Sequence, residues 1–250
     1  MQGLRVIPVP LSGDVRAGDS VADKFLEALQ RSRVALAKGD VLVVKHKIVS
    51  KAEGQFIRLD TIKPSVHSRA WARRYKLDPR VTELALQESK KIIRRKNGVL
   101  ITETHHGFIC ANSGVDVSNV DGGEHALLLP EDPDRSAANL YRALKKRLRL
   151  SIPVIISDSF GRPWREGLTE VAIGVAGMKA IHDYRRRRDP HGYRLRVTLD
   201  AVADELACAA GLLSGKLTRT PFVIIRGFPY QPGHGSSLQL LRPAALDLFR

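Results

Sequence analysis

Ile155-Ile156-Ser157-Asp158-Ser159-Phe160-Gly161-Arg162-Pro163-Trp164-Arg165-Glu166-Gly167 is the stretch on which the reading of this 250-residue chain turns. Pro153 to Ser157 is short, apolar and uncharged, the composition of a strand covered on both faces of a sheet. Such a strand delivering Asp158 and Ser159 to a strand-end loop is a common way to hold Mg²⁺ or Mn²⁺. The carboxylate binds the hard cation and the hydroxyl can complete its shell. Arg162 and Arg165 then offer bidentate forks for phosphate or carboxylate groups. Trp164 either packs on an aromatic ligand or covers the core.

Outward from this stretch, strands and helices alternate. Val41 to Val49 and Pro221 to Arg226 read as strands, as do Val99 to Glu103 and Gly107 to Ala111 around a turn at His105-His106. Glu170 to Met178 reads as extended. Helices are expected over Val21 to Ala37, stopped by Gly39-Asp40, and over Ser65 to Tyr75. Another runs over Pro79 to Ile93, with Pro79 at a permitted first position. Pro133 to Leu148 opens on Asp132 and Asp134 and closes on Lys and Arg, which suits the helix dipole. Leu199 to Leu213 places Leu199, Val202, Leu206, Ala210 and Leu213 on one face, and Gly215 caps it. The expected fold class is mixed α/β (α+β), over residues 1–250 as one module that can divide into two subdomains.

Three more segments carry more polar groups and glycine than packing requires, each where a strand runs out, which is where binding sites concentrate in mixed sheets. In Val44 to Gly54 (VKHKIVSKAEG), Lys45, Lys47 and Lys51 can bond phosphate oxygens, with Lys51 best placed at the exit. The same stretch also reads as lysines on the wet face of an edge strand. In Gly107 to Val120 (GFICANSGVDVSNV), Asp116 and Asn119 lie three apart, so one turn can present a carboxylate to a hard cation and an amide to a phosphate or base. A plain Asx turn fits equally. In Arg226 to Ser237, Gly233 and Gly235 expose backbone N–H groups that can cradle phosphates. No Gly-Lys-Ser/Thr follows, so this is not a Walker A loop. An Arg186-Arg187-Arg188 run between Asp183 and Gly192 suits a polyanion, a subunit contact or solvent.

The 41 Lys and Arg outnumber 26 Asp and Glu, for a net charge of +15. Much of the excess lies in helical-looking stretches, and aromatics make up only 6% without interleaving the basic runs. A stacking platform for nucleic acid is therefore not indicated. No apolar run approaches the roughly 18–20 residues of a membrane span, and the first residues lack the apolar core of a secretory signal. These features point to a cytoplasmic protein without membrane or nucleic-acid partners. Cys110 and Cys208 have no neighbours at metal or redox spacing and read as small hydrophobes.

In this order the segments resemble the coenzyme F-420-0:L-glutamate ligase family over nearly the whole chain. The most specific stretches are Ile48 to Gly54, Gly107 to Val120, Ser157 to Gly177 (SDSFGRPWREGLTEVAIGVAG), Ala201 to Ala210 (AVADELACAA) and Arg226-Gly227. The resemblance implies a GTP-dependent enzyme with two divalent cations, Mn²⁺ or Mg²⁺, and a homodimer whose subunits intertwine. Its substrates would be GTP, L-glutamate and the deazaflavin precursor. Residue by residue, it puts Asp116 and Asp158 on a first metal and Ser159 on a second. It puts Pro10, Leu11, His46, Lys47, Lys51, Asn119, Tyr230, Gln231, Gly233, Gly235 and Ser236 on the nucleotide, with Gln231 also a metal ligand. Asp116, Asp158 and Lys51 would be catalytic, and Arg162, Trp164 and Arg165 substrate-binding. The end at Arg250 leads us to expect a stand-alone form, without the flavin-binding domain fused in some relatives.

The implied chemistry joins a carboxylate to an amine, which requires the carboxylate oxygen to become a leaving group. The precursor's carboxylate would take the γ-phosphoryl of GTP as an acyl phosphate, and the amine of glutamate would displace phosphate. A metal-dependent phosphohydrolase is the rival that uses the same aspartates, and an RNA-binding module is the rival that uses the charge.

Overall fold

A computed structural model describes residues 3–118 and 123–248. In chain order its elements are β1 (Arg5–Val9), α1 (Val21–Ser32), β2 (Val41–Lys45), α2 (His46–Ala52), β3 (Phe56–Arg58), α3 (Val66–Tyr75) and α4 (Pro79–Gln87). Then come β4 (Ser89–Lys96), β5 (Val99–Thr104), β6 (Ile109–Ala111), β7 (His125–Leu127), α5 (Pro133–Leu148), β8 (Val154–Arg162) and β9 (Arg165–Ala176). β10 (His182–Asp183), β11 (Leu199–Asp200), α6 (Val202–Ser214) and β12 (Phe222–Arg226) complete the set. The class is mixed α and β, as expected.

The central sheet has the order β1-β12-β2-β8-β9. Only β2 and β8 run parallel, pairing Leu42 with Val154 and Lys45 with Ser157. Helices cover both faces, so the middle strands are apolar throughout rather than alternating. Successive side chains still point to opposite sides. Leu42, Val44, Val154 and Ile156 join Phe25, Ala28, Ala137 and Leu140 of α1 and α5 in one core. Val41, Val43, Ile155 and Val223 join Val202, Leu206 and Ala210 of α6 in the other. Each fully buried Val, Leu or Ile of this kind contributes about 1.5–3 kcal/mol.

Between α2 and α5 the chain builds a smaller unit. It comprises the sheet β4-β5-β6, the pair β3-β7 and the helices α3 and α4. Leu59, Leu84, Ala126 and Leu128 form its centre. Gly215 caps α6 and Pro79 opens α4, as expected. Asp132 accepts the Arg135 N–H at the start of α5. Ser65 accepts the Ser68 N–H at α3, and Asp78 accepts the Arg80 N–H ahead of Pro79 at α4.

Several boundaries differ from the sequence reading. The strand expected over Val41 to Val49 ends at Lys45, and His46 starts a seven-residue helix. The helix expected to reach Ile93 ends at Gln87, because Ser89 to Lys96 pair with β5. α1 ends at Ser32, where Arg33 takes a left-handed C-cap, rather than at Ala37. Leu199 is not in α6 but pairs with Asp183, and α6 begins at Val202. The strand at Gly107 starts two residues later, at Ile109. Most consequentially, β8 does not stop before Asp158. It runs to Arg162 and folds back on β9 through Pro163-Trp164, pairing Asp158 with Val171. Asp158 is therefore a strand residue and not a loop residue.

Candidate active site

The site forms where β2 ends beside β8, the carboxyl end of the sheet's one parallel pair, as is general for open mixed sheets. Alternation along both strands divides it into two faces. Lys45, Ser157 and Ser159 point to the side of Glu170, while His46 and Asp158 meet on the other. Ser157 Oγ and Ser159 Oγ donate to Glu170 Oε2 and Oε1 at 2.9 and 2.6 Å, and Lys45 Nζ forms an ion pair with Glu170 Oε1. The buried His46 has Nε2 3.2 Å from Asp158 Oδ1 and Nδ1 3.3 Å from Ser50 Oγ.

Glu170 sits beneath α6 because Gly211 offers no side chain there. A Cβ at that position would meet Glu170 Cγ at 2.5 Å. A register shift between Ile156 and Ser157 opposite β9 leaves Ile173 as an extra residue, a bulge of the kind that re-aims side chains beside sites. Asp204 of α6 secures it by accepting the Ala172 N–H at 2.8 Å.

Asp116 arrives from the smaller unit. After β6, Asn112, Ser113 and Gly114 all take left-handed backbone conformations. Ser113 Oγ anchors this turn by donating to the Ala85 carbonyl at 2.7 Å, with Thr102 Oγ1 2.8 Å away. Two backbone hydrogen bonds with Leu127 then hold Asp116. Its carboxylate accepts the Ser118 N–H at 2.6 Å and pairs with Lys47 Nζ at 2.6 Å. Consecutive residues of α2, His46 and Lys47, thus hold the two aspartates that the sequence reading paired.

Burial pushes all three carboxyls upward, and their neighbours more than reverse it. His46 and the Ser159 amide hold Asp158 below the ordinary carboxylate value, although Asp116 pushes it the other way. Lys47 and Ser118 do the same for Asp116, and Lys45 with the two serine hydroxyls for Glu170. Lys45 itself lies below the ordinary lysine value, because burial outweighs the attraction of Glu170. The thiol of Cys110 is pushed up to about 12, first by burial and then by Asp158, so it is no nucleophile.

Beside these groups lies a cavity of about 450 Å³ whose wall includes Leu11, Lys45, Lys47, Lys51, Lys216 and Arg219. Lys51 also lies over the Phe56 ring at 5.8 Å. Pro10, adjacent to Leu11, is exposed at the rim strand's end. The segment that lines this cavity near the C-terminus is Ser214 to Pro221, which sequence reasoning left as a cap and connector. Within it Lys216 Nζ donates to Ser159 Oγ at 2.8 Å. Glu170, Lys216 and Arg219 were the residues missed. A Gly-Lys-x-x-Arg run ahead of a buried strand is the signal that marks the last two. A larger hollow of about 900 Å³ lies among Arg185, Arg186, Arg194 and Arg196. Its carboxylate, Asp183, is already held down to about 2 by Arg185, and the central sheet contributes no strand to its wall, so the smaller cavity is the candidate site.

Other residues in the sequence reading are not gathered here. Tyr230, Gln231, Gly233, Gly235 and Ser236 lie against the far end of β9. Pro232 pairs with Met178, the Gln231 amide lies 3.2 Å from His182 Nε2, and Ser236 Oγ donates to Asp134 at 2.6 Å. Five residue steps separate Val171, opposite Asp158, from the end of β9 at Ala176, roughly 16 Å at about 3.3 Å per residue. Arg162, Trp164 and Arg165 occupy the hairpin tip, with Trp164 83% exposed. Asn119 lies outside the described residues.

A cavity walled by four lysines and an arginine presents concentrated positive charge, the electrostatics that attract anions, and two mutually repelling aspartates lie near its lysines. A family model described as F420-0:Gamma-glutamyl ligase matches residues 12–227, and the chain belongs to that family. It is 46% identical to the coenzyme F420:L-glutamate ligase of Methanothermobacter thermautotrophicus, over 99% of each chain. The enzyme of the same name from Methanopyrus kandleri is 42% identical over 99% of this chain and 98% of its own. That from Methanocaldococcus jannaschii is 41% identical over 85% of each. Among the described residues no helix is long and apolar enough to cross a membrane.

Proposed function

We propose that the chain is a GTP-dependent ligase that adds L-glutamate to the deazaflavin precursor coenzyme F-420-0, giving a γ-linked amide, GDP and phosphate. The observation that carries the proposal is the cation-walled cavity whose Lys47 is paired with Asp116, in a chain 46% identical along its length to a coenzyme F420:L-glutamate ligase. Lys47, Lys51, Lys216 and Arg219 surround the triphosphate oxygens and hold the γ-phosphorus toward the precursor's carboxylate.

The residues present fit a divalent cation, Mg²⁺ or Mn²⁺, at the aspartate pair. Both contacts of Asp158 fall on Oδ1, which leaves Oδ2 without a hydrogen bond among the described residues. No three His, Cys, Asp or Glu side chains among the described residues converge on one point, so Asp116 and Asp158 would hold the cation together with groups from outside the protein. When bound, the cation neutralises phosphate charge as it develops.

The precursor's carboxylate oxygen attacks the γ-phosphorus, the bond to the bridging oxygen breaks, and GDP leaves. The glutamate nitrogen then attacks the acyl carbon, the C–O bond breaks, and phosphate departs with the electron pair while the amine proton passes to solvent. The protein needs no covalent intermediate. Arg162, Trp164 and Arg165 at the hairpin tip hold the remote part of the precursor. The active unit is a homodimer, consistent with the exposed Val197, Leu212 and Leu217.

The test is the coupling of nucleotide turnover to both acceptors. GTP consumption should require precursor and glutamate together and should fall at least 100-fold in Asp158→Ala with the fold intact. Steady GTP hydrolysis without either acceptor would favour the phosphohydrolase instead.

A further inference from the structure

The family resemblance gives Ser159 to a second divalent cation, and the surroundings of Ser159 do not fit one. Its hydroxyl accepts a hydrogen bond from Lys216 Nζ and gives its one proton to Glu170 Oε1. Glu170, the carboxylate within reach, is already paired with Lys45. Asp158 cannot help on this face, because adjacent strand residues point to opposite sides and Asp158 is engaged with His46. A divalent ion at Ser159 would stand against two ammonium groups with no free carboxylate to hold it.

We propose that Lys216 itself serves as the second cation, so that the chain works with one divalent ion, at Asp116 and Asp158. The ammonium is carried on an exposed loop, Gly215 to Arg219, and Lys216 lines the cavity. From Ser159 it reaches phosphate oxygens as a point charge on a flexible stem, the role in which lysine differs from arginine. Lys45 stays behind it on Glu170 and keeps that carboxylate from drawing Lys216 away from the nucleotide. This inference rests on the proposed GTP-dependent ligation.

The experiment is equilibrium dialysis of the full chain against Mn²⁺ and a non-hydrolysable GTP analogue, counting ions bound per chain, alongside glutamate addition with GTP. Wild type and Lys216→Gln should each bind one Mn²⁺, because Glu170 stays paired with Lys45 in both, and Lys216→Gln should bind the GTP analogue at least tenfold more weakly. Lys216 is exposed, and an unchanged melting temperature would show that Lys216→Gln keeps the fold. Two ions in either protein, none in wild type, or an unchanged affinity of Lys216→Gln for the GTP analogue would each overturn the inference. If wild type joins glutamate while binding two ions, the ligase reading stands and the lysine inference falls. If it binds one ion and joins no glutamate, the ligase reading falls and the ion count stands.

Discussion

Replacing Glu170 with Gln isolates the electrostatics of the site from its shape. The glutamine side chain can still accept a hydrogen bond from Ser157 or Ser159, but Lys45 loses its counter-ion. Their side chains are 9% and 18% exposed, so water replaces little of that attraction. Breaking a buried pair from one side costs about 3–5 kcal/mol, and partial exposure puts this one at the lower end, about 3 kcal/mol. Deprotonation of Lys45 sets a ceiling. Neutralising a lysine of ordinary value near 10.4 at pH 7 costs about 4.6 kcal/mol, at about 1.36 kcal/mol per pH unit. The pH dependence follows. Lys45 already lies below the ordinary lysine value through burial, and losing Glu170 lowers it further. The folded variant then binds fewer protons than the unfolded one, so its stability rises with pH until the unfolded lysine titrates near 10.4. Urea unfolding of both proteins should show the deficit of about 3 kcal/mol at pH 7 and a smaller one at pH 9.5. A deficit below 1 kcal/mol at pH 7, or one that grows toward pH 9.5, would refute the reasoning.

Arg226 meets the fully buried Asp40 through two bonds of 2.8 Å and also donates to the Ala35 carbonyl. Arg226→Ala strands that carboxylate and should cost about 3–5 kcal/mol in chemical unfolding. A loss under 1 kcal/mol would mean that water reaches Asp40. Sedimentation equilibrium should return twice the chain mass of 27.7 kDa, and a species of one chain mass at micromolar concentration would rule out the homodimer.

The core strands were legible because burial on both faces leaves an unbroken apolar run, as in Val41 to Val44 and Phe222 to Ile225. α2 was not, because His46 to Ala52 has no side-chain cap and its Ile48 and Val49 continue the strand pattern. β4 failed for the opposite reason. It is an edge strand, largely exposed, so Lys90 to Lys96 show no alternation to read. Asp116 stood out through the spacing of its turn and Asp158 through the apolar strand before it, although Asp158 lies within β8 and not in a loop. The contacts of Ser157 and Ser159 with Glu170 depend on β8 folding back on β9, a pairing between residues 11 to 13 apart. Lys216 depends on a longer separation still, 57 residues from Ser159, and no local pattern encodes it. The substrate expectation came from resemblance, since the local chemistry shows only carboxylates and concentrated positive charge.

The most direct measurement is the mass of the deazaflavin product after incubating the full chain with coenzyme F-420-0, L-glutamate, GTP and Mn²⁺. The account predicts a product heavier by one or more glutamate residues, with GDP and phosphate formed in equal amount to the amide bonds. An unchanged precursor mass while GTP is consumed would contradict it.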